Sequence, residues 1–222
     1  THWKIYGLGQ RALVKGLVFP VFETVAELPM DLKNCAYGMD FGFANDFTTL
    51  TFKGELDGCL FIDEMLYKRG LVNLESKYNE KQASIEAELR KLNINKRFTI
   101  WADSAEPKSI QDLKNAGFNI DAVKKGAGSI LDGINTIKRF KLRVTERSMN
   151  LIKELRNYKW VENRDGSPTN IPVDNFNHSL DGLRYSCYMT ELNNGFGSSP
   201  FKVDPCSRSI KGYYGCNKYD IT

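Results

Sequence analysis

The run Ala36-Tyr37-Gly38-Met39-Asp40-Phe41, followed by Thr48-Thr49-Leu50-Thr51-Phe52 and by Leu60-Phe61-Ile62-Asp63-Glu64-Met65-Leu66, decides the fold class. Each segment is short and apolar, and Asp57-Gly58 is a turn signal between the second and third, so the three read as strands of a meander. Downstream, strands and helices alternate. Leu74, Tyr78, Ile85, Leu89 and Leu92 recur on one helical face and predict a long amphipathic helix over residues 72–92. Residues 98–102 are an apolar run long enough for a buried strand, and Pro107 stands where a first helical residue belongs, with Gly117 as the stop. A strand at 120–123, a Gly126-Ala127-Gly128-Ser129 turn and a helix carrying Ile130, Ile134 and Ile137 follow. A strand at 142–144 and a helix at 148–157 complete the alternation, which implies an α/β fold: a partly parallel sheet covered on both faces. Residues 158–161 and 169–173 flank the turn-rich Asn163-Arg164-Asp165-Gly166-Ser167-Pro168 and predict a projecting hairpin, before a last helix at about 177–190.

With 222 residues, 41% of them hydrophobic, the chain can bury one sizeable core. Residues 1–30, punctuated by Tyr6-Gly7-Leu8-Gly9, read as an arm or linker, residues 31–192 as the catalytic domain, and residues 193–222, rich in Gly, Ser and Pro, as a tail. The chain starts at Thr1 and shows neither a charged-then-apolar leader nor a long uncharged apolar run, so it reads as a soluble fragment of a longer protein with no membrane partner. A net charge of +4 falls short of the strongly basic signature of a dedicated nucleic-acid module, and charge alone names no partner. Five cysteines without a Cys-x-x-Cys pair, three of them (Cys35, Cys59, Cys187) among apolar neighbours, fit a reducing cytoplasm.

Asp40 ends the first strand in an apolar setting, where an unpaired carboxylate is expensive to bury and a metal would serve as its partner. Asp103 follows the 98–102 run, at the carboxyl end of a strand, where open α/β sheets place their sites. His178 and Asp181 stand three apart on the last helix and share a face. Taken singly, Asp40 also reads as a turn or capping aspartate, Asp103 as the cap of the next helix, and the His178/Asp181 pair as a solvated one. Taken together, three carboxylates make an oxygen-rich site suited to two divalent cations, Mg²⁺ or Mn²⁺, which can activate a water and stabilise a departing 3′ oxygen. The chain has two histidines, His2 and His178, and no convincing Ser-His-Asp or Cys-His arrangement; it has no Gly-Lys-Ser or Gly-Lys-Thr phosphate loop, so it cannot bind ATP in the P-loop manner. Lys124 and Lys125 in a Gly-flanked loop, and Lys159 and Arg164 on the hairpin, are the candidate phosphate contacts, although in isolation a solvated pair is the favoured reading of Lys124-Lys125.

Three motifs then carry a family resemblance. Tyr37-Gly38-Met39-Asp40-Phe41-Gly42 with Asp46-Phe47-Thr48-Thr49-Leu50 resembles the opening nuclease motif of tailed-phage large terminases. Asp103-Ser104-Ala105-Glu106-Pro107-Lys108-Ser109-Ile110 resembles their second acidic motif, and Asn177-His178-Ser179-Leu180-Asp181-Gly182-Leu183-Arg184-Tyr185 resembles the third, in family order and at family-like intervals. Tyr6-Gly7-Leu8-Gly9 with residues 16–19 is similar to the stretch joining the ATPase part to the nuclease. The resemblance implies a ribonuclease H-like fold, a central mixed sheet flanked by helices, with Asp40, Asp103 and Asp181 as metal ligands; His178, one helical turn before Asp181, is expected to tune or supplement that site, the alternative being a helix-start histidine facing solvent. It implies a metal-dependent endonuclease that cuts concatemeric double-stranded viral DNA during packaging in the cytoplasm of the infected bacterium, at the procapsid portal. By the same resemblance its partners are the portal protein, the small terminase subunit and an ATPase domain of the same full-length chain. Gly182 departs from the pattern, standing where Ala is expected after the aspartate. Two other readings stay open: a different ribonuclease H-like DNA nuclease such as a junction resolvase, and a non-catalytic DNA-gripping or portal-docking module.

Overall fold

The computed structural model describes residues 16–42, 46–75 and 82–195. Its spine is a seven-stranded sheet in the order β1-β7-β4-β3-β2-β5-β6. The strands are β1 (Glu23–Val25), β2 (Lys33–Asp40), β3 (Phe47–Leu56), β4 (Cys59–Arg69), β5 (Ile100–Ala102), β6 (Ile120–Ala122) and β7 (Lys141–Thr145). β3 runs antiparallel to both neighbours, and the other strands run parallel, so the carboxyl ends of β2 and β5 share one edge. A separate hairpin pairs β8 (Trp160–Glu162) with β9 (Pro168–Pro172).

Five helices cover the sheet: α1 (Ile85–Lys91), α2 (Pro107–Asn115), α3 (Ser129–Lys138), α4 (Met149–Asn157) and α5 (His178–Asn194). Met39, Leu50, Phe52 and Ile100 pack against Ile85 and Leu89 of α1 and Ile110 and Leu113 of α2. On the other face Leu60, Ile62 and Val144 pack against Ile134 and Ile137 of α3, Leu151 and Leu155 of α4, and Leu180, Leu183 and Cys187 of α5. Local chemistry explains several helix starts: Ser84 accepts from Ala87 N at 3.1 Å to cap α1, Pro107 opens α2, and Gly128 at φ 85° precedes α3.

Two expectations change. The helix expected over residues 72–92 is helical only from Ile85. Val72 forms a parallel bridge with Ser84, and Ile85 N donates to Val72 O at 2.7 Å, so the amides at the helix start are satisfied by a neighbouring segment rather than by a preceding turn. Leu74 is exposed, and Tyr78 lies outside the described residues. The arm expected over residues 1–30 is described from Gly16, where it enters the fold: Val18 and Phe19 are buried in the core, and β1 adds a strand beside β7.

The position of α5 is set by three contacts. Gly182 lies main chain to main chain against Gly38 of β2, where an added Cβ at Gly38 would sit 1.7 Å from the Gly182 carbonyl oxygen. Thr49 and Thr51 of β3 donate from their hydroxyls to the carbonyls of His178 (3.0 Å) and Ser179 (3.1 Å). Asn177, at the start of α5, makes no side-chain cap. Instead the buried Glu154 of α4 accepts from Leu180 N at 3.1 Å and from the Tyr67 hydroxyl at 3.2 Å, so one helix caps another across the core.

Gly38→Ala forces a methyl into backbone that cannot swing aside, and we expect it to cost about 3 kcal/mol or more; a chemical-denaturation midpoint equal to that of the unaltered chain would contradict the crossing. Burial pushes the Glu154 carboxyl from its ordinary 4.5 up to about 7, against the opposing influence of its hydrogen bonds and of His178. The folded state therefore holds its proton more tightly than the unfolded state does, and this contribution to stability is present below about pH 4.5 and lost as pH rises through 7. Thermal melts of Glu154→Gln should show a weaker decline between these pH values than the unaltered chain, a difference on the order of 2–3 kcal/mol. Identical pH profiles would show that Glu154 does not carry the linkage.

Candidate active site

Asp40 is the last residue of β2, and Asp103 follows the last residue of β5. Because Met39 pairs with Ala102 in parallel register, the two carboxylates leave adjacent strand ends at the same edge. Asp181 comes from the first turn of α5, immediately before the glycine that rests on Gly38, two residues short of Asp40. The crossing of α5 over β2 thus brings the third carboxylate to the first two. Burial pushes the Asp40 carboxyl up to about 6; His178 opposes this, and the charges of Asp181 and Asp103 add to it. Asp181 is also raised, chiefly by burial, with Arg184 working the other way.

Basic partners engage two of the three. Lys125 Nζ lies 2.6 Å from Asp103 Oδ1, while the Tyr185 hydroxyl donates to Oδ2 at 3.1 Å and Ala105 N to Oδ1 at 2.7 Å. Partial burial raises the Asp103 carboxyl, but these donors outweigh it and hold the group below its ordinary range. Arg184 contacts Asp181 Oδ1 at 2.9 Å, and its aliphatic part lies where a Cβ on Gly133 of α3 would meet it at 2.4 Å. Among the described residues no three His, Cys, Asp or Glu side chains are gathered closely enough to hold an ion as they stand. The donor chemistry nevertheless suits a divalent cation: burial first, and then the charges of Asp181 and Asp103, raise the proton affinity of Asp40, and a cation would relieve that crowding of charge.

His178 faces the same edge. Its Nδ1 is 3.8 Å from Asp40 Oδ2 and its Nε2 is 3.6 Å from Asp46 Oδ1, ion-pair distances longer than a hydrogen bond. Its ring stands edge-on to Phe47 (5.8 Å) and Tyr67 (6.3 Å). Asp40, opposed by burial and assisted by Glu154 and Asp46, raises the proton affinity of the imidazole.

The candidate phosphate contacts separate. Lys125 reaches the carboxylates. Lys124 lines a shallow hollow with Trp101, Lys114 and Met189, and its backbone amide points to the Met189 sulfur at 3.3 Å. Lys159 and Arg164 are exposed at the base and turn of the β8–β9 hairpin, and among the described residues no ion pair joins either to the site. Sequence reasoning passed over Arg184, Tyr185 and Glu154. The first two lie three and four residues after Asp181, a helical spacing that could have flagged them. Glu154 comes from another helix, and nothing near it in sequence points to α5.

Among the described residues no helix is long and apolar enough to cross a membrane. The family model described as "Terminase RNAseH like domain" matches residues 40–188. A curated relative, the PBSX phage terminase large subunit of Bacillus subtilis (strain 168), is 31% identical over 185 residues, which is 76% of this chain and 39% of that protein. The chain therefore spans about two fifths of the length of that relative. Among solved structures, the g2p (large terminase) nuclease domain of bacteriophage SPP1 with bound Mn superposes with a TM-score of 0.62 at 23% identity, covering 77% of this chain and 97% of that one. The large terminase nuclease of thermophilic phage G20c with bound magnesium gives a TM-score of 0.52 at 15% identity, covering 79% and 98%. At these identities the structural likeness speaks for the fold, which is ribonuclease H-like, and the family match extends across β3 to β9 and from Asp40 well into α5. The chain belongs to the terminase ribonuclease H-like domain family.

Proposed function

We propose that this chain is the nuclease part of a phage large terminase, hydrolysing phosphodiesters of double-stranded DNA with divalent cations held by Asp40, Asp103 and Asp181. What supports the proposal is that Asp40 and Asp103 leave adjacent parallel strand ends while Asp181 leaves the first turn of the helix that crosses β2, near enough that, besides burial, the charges of Asp181 and Asp103 raise the proton affinity of Asp40. Mn and magnesium in the two related nuclease structures support the class of cofactor. Bound there, Mg²⁺ or Mn²⁺ supplies activation of a water and stabilisation of the leaving oxygen, in the two-ion arrangement expected of such a site. The protein's own part is to hold and release charge. Asp40 gives up its proton before it can act as a ligand, His178 orients it, and Lys125 leaves Asp103 to meet a phosphate. Arg184 stays with Asp181 and keeps its carboxylate aimed.

In the full-length protein this activity cuts concatemeric viral DNA during packaging into procapsids, in the cytoplasm of the infected bacterium. An ATPase domain in the same polypeptide fits the two-fifths coverage of the curated relative, and the portal protein and small terminase subunit complete the partners. A DNA-gripping role without catalysis is favoured by one observation, the engagement of Asp103 and Asp181 by Lys125 and Arg184. Supercoiled plasmid incubated with Mn²⁺ or Mg²⁺ separates the two. We expect nicking and linearisation at many positions, lost by about 10³-fold or more in each of Asp40→Asn, Asp103→Asn and Asp181→Asn. Binding without cutting by the unaltered chain would favour the gripping role, and preference for a branched junction over plasmid would favour a resolvase.

The raised Asp40 carboxyl sets the pH dependence. Below about 6 the group is protonated and competes with the metal; above it the carboxylate is free. Apparent Mn²⁺ affinity measured by calorimetry should therefore tighten as pH rises between about 5 and 7 and level off beyond, by up to about tenfold per pH unit within the window. An affinity flat over that range would show that Asp40 holds no proton for the metal to displace.

A further inference from the structure

Beside the carboxylates, the sheet rim carries a cation with no acidic partner among the described residues. Arg69, the last residue of β4, is exposed, and its guanidinium carbon lies 3.9 Å from the centroid of the Phe47 ring. Phe47 and Arg69 are cross-strand partners, two residues beyond the Thr49–Tyr67 pair, and Thr49 in turn pairs with Asp40. Side chains two apart on a strand share a face, so Arg69 and Phe47 stand on the face and at the edge occupied by Asp40. The ring of Phe47 then contacts Tyr67 (4.3 Å) and His178 (5.8 Å), which ties the clamp to the site.

We infer that Arg69, stacked on Phe47, binds a backbone phosphate of the duplex to one side of the cut, an inference that rests on the nuclease reading above. Stacking immobilises the guanidinium through one face and leaves the in-plane N–H fork, the part that matches a phosphate, unspent. The ion pairs made by Lys68 with Glu88 and by Lys125 with Asp103 show how neighbouring cations are otherwise occupied. Strand spacing of ~4.8 Å across two ladder steps and a rise of ~3.4 Å per residue put Arg69 about 12 Å from Asp40. Along the edge the order is Arg69 on β4, Asp40 on β2, then Asp103 with Lys125 beyond β5, so the carboxylates lie between two cations along the path of a strand.

Binding can be read apart from cutting. Anisotropy of a short fluorescein-labelled blunt duplex, titrated with the full 222-residue chain in EDTA over a salt series, reports affinity and the number of phosphates neutralised. Arg69→Ala should weaken binding by about tenfold at low salt and reduce the slope of log affinity against log salt by about 0.9, with an unchanged melting temperature. Arg69→Lys should keep most of the slope and still lose several-fold affinity, because an ammonium does not stack as a plane. Affinity and slope equal to those of the unaltered chain in Arg69→Ala would overturn the inference, as would full rescue of affinity by lysine. Absence of salt-dependent duplex binding by the unaltered chain overturns this site and leaves the nuclease reading to the plasmid assay. Arg69-sensitive binding without metal-dependent cutting sinks the nuclease reading alone.

Discussion

Two glycines allow main chain to touch main chain where α5 crosses β2, and the rest of the site hangs from that contact. A side chain at Gly38 would overlap the Gly182 carbonyl, and one at Gly182 would meet the Gly38 oxygen at 2.8 Å. The close approach shortens the distance between a strand-end aspartate and a helix-borne one to what two residues of strand and one of helix can span. The glycine at residue 182 therefore has a steric meaning here: alanine, small as it is, would require the two backbones to move apart.

Polar bonds hold that crossing in register. Thr49 and Thr51, buried in the middle of the sheet, spend their hydroxyls on carbonyls of the first turn of α5, while Glu154 satisfies an amide at the same helix end. These groups look out of place in a core, yet the hydroxyls of Thr49 and Thr51 and one carboxylate oxygen of Glu154 each find a main-chain partner in the helix that carries Asp181 and His178. The helix is fixed along its axis and about it, which apolar packing alone does less well because hydrophobic contact is not directional.

Charge is arranged on the same scaffold. The sheet edge gathers Asp40, Asp103 and Asp181 in a partly water-poor setting, and Lys125, Arg184 and His178 stand close enough to offset them. The cost of concentrating like charges is divided: burial and neighbouring carboxylates act on Asp40, whereas donors stabilise Asp103 in its ionised form.

Much of this was legible in the residues. The runs at 48–52 and 60–66 lie within β3 and β4, that at 36–41 overruns the end of β2 by one residue, and the helices opened by Pro107 and by the Gly128 turn begin where local chemistry puts them. Asp40 and Asp103 were recognisable as strand-end carboxylates, and the spacing of His178 and Asp181 as a shared helix face, because period, turn chemistry and capping act over a few residues. Periodicity also misled: Leu74 and Leu89 share a phase without sharing a helix, since the pattern says nothing of a chain that leaves and returns beside itself at Val72 and Ser84. Lys125 was read as a phosphate contact from its loop, and only the fold turns it onto Asp103, 22 residues away. The sequence by itself determined the elements and the acidic residues at their ends. The tertiary structure alone decided that Thr49 would reach a helix 129 residues on, that Glu154 would cap it and that Arg69 would lie on Phe47, because those contacts are set by how packed layers meet in space and leave no local pattern along the chain.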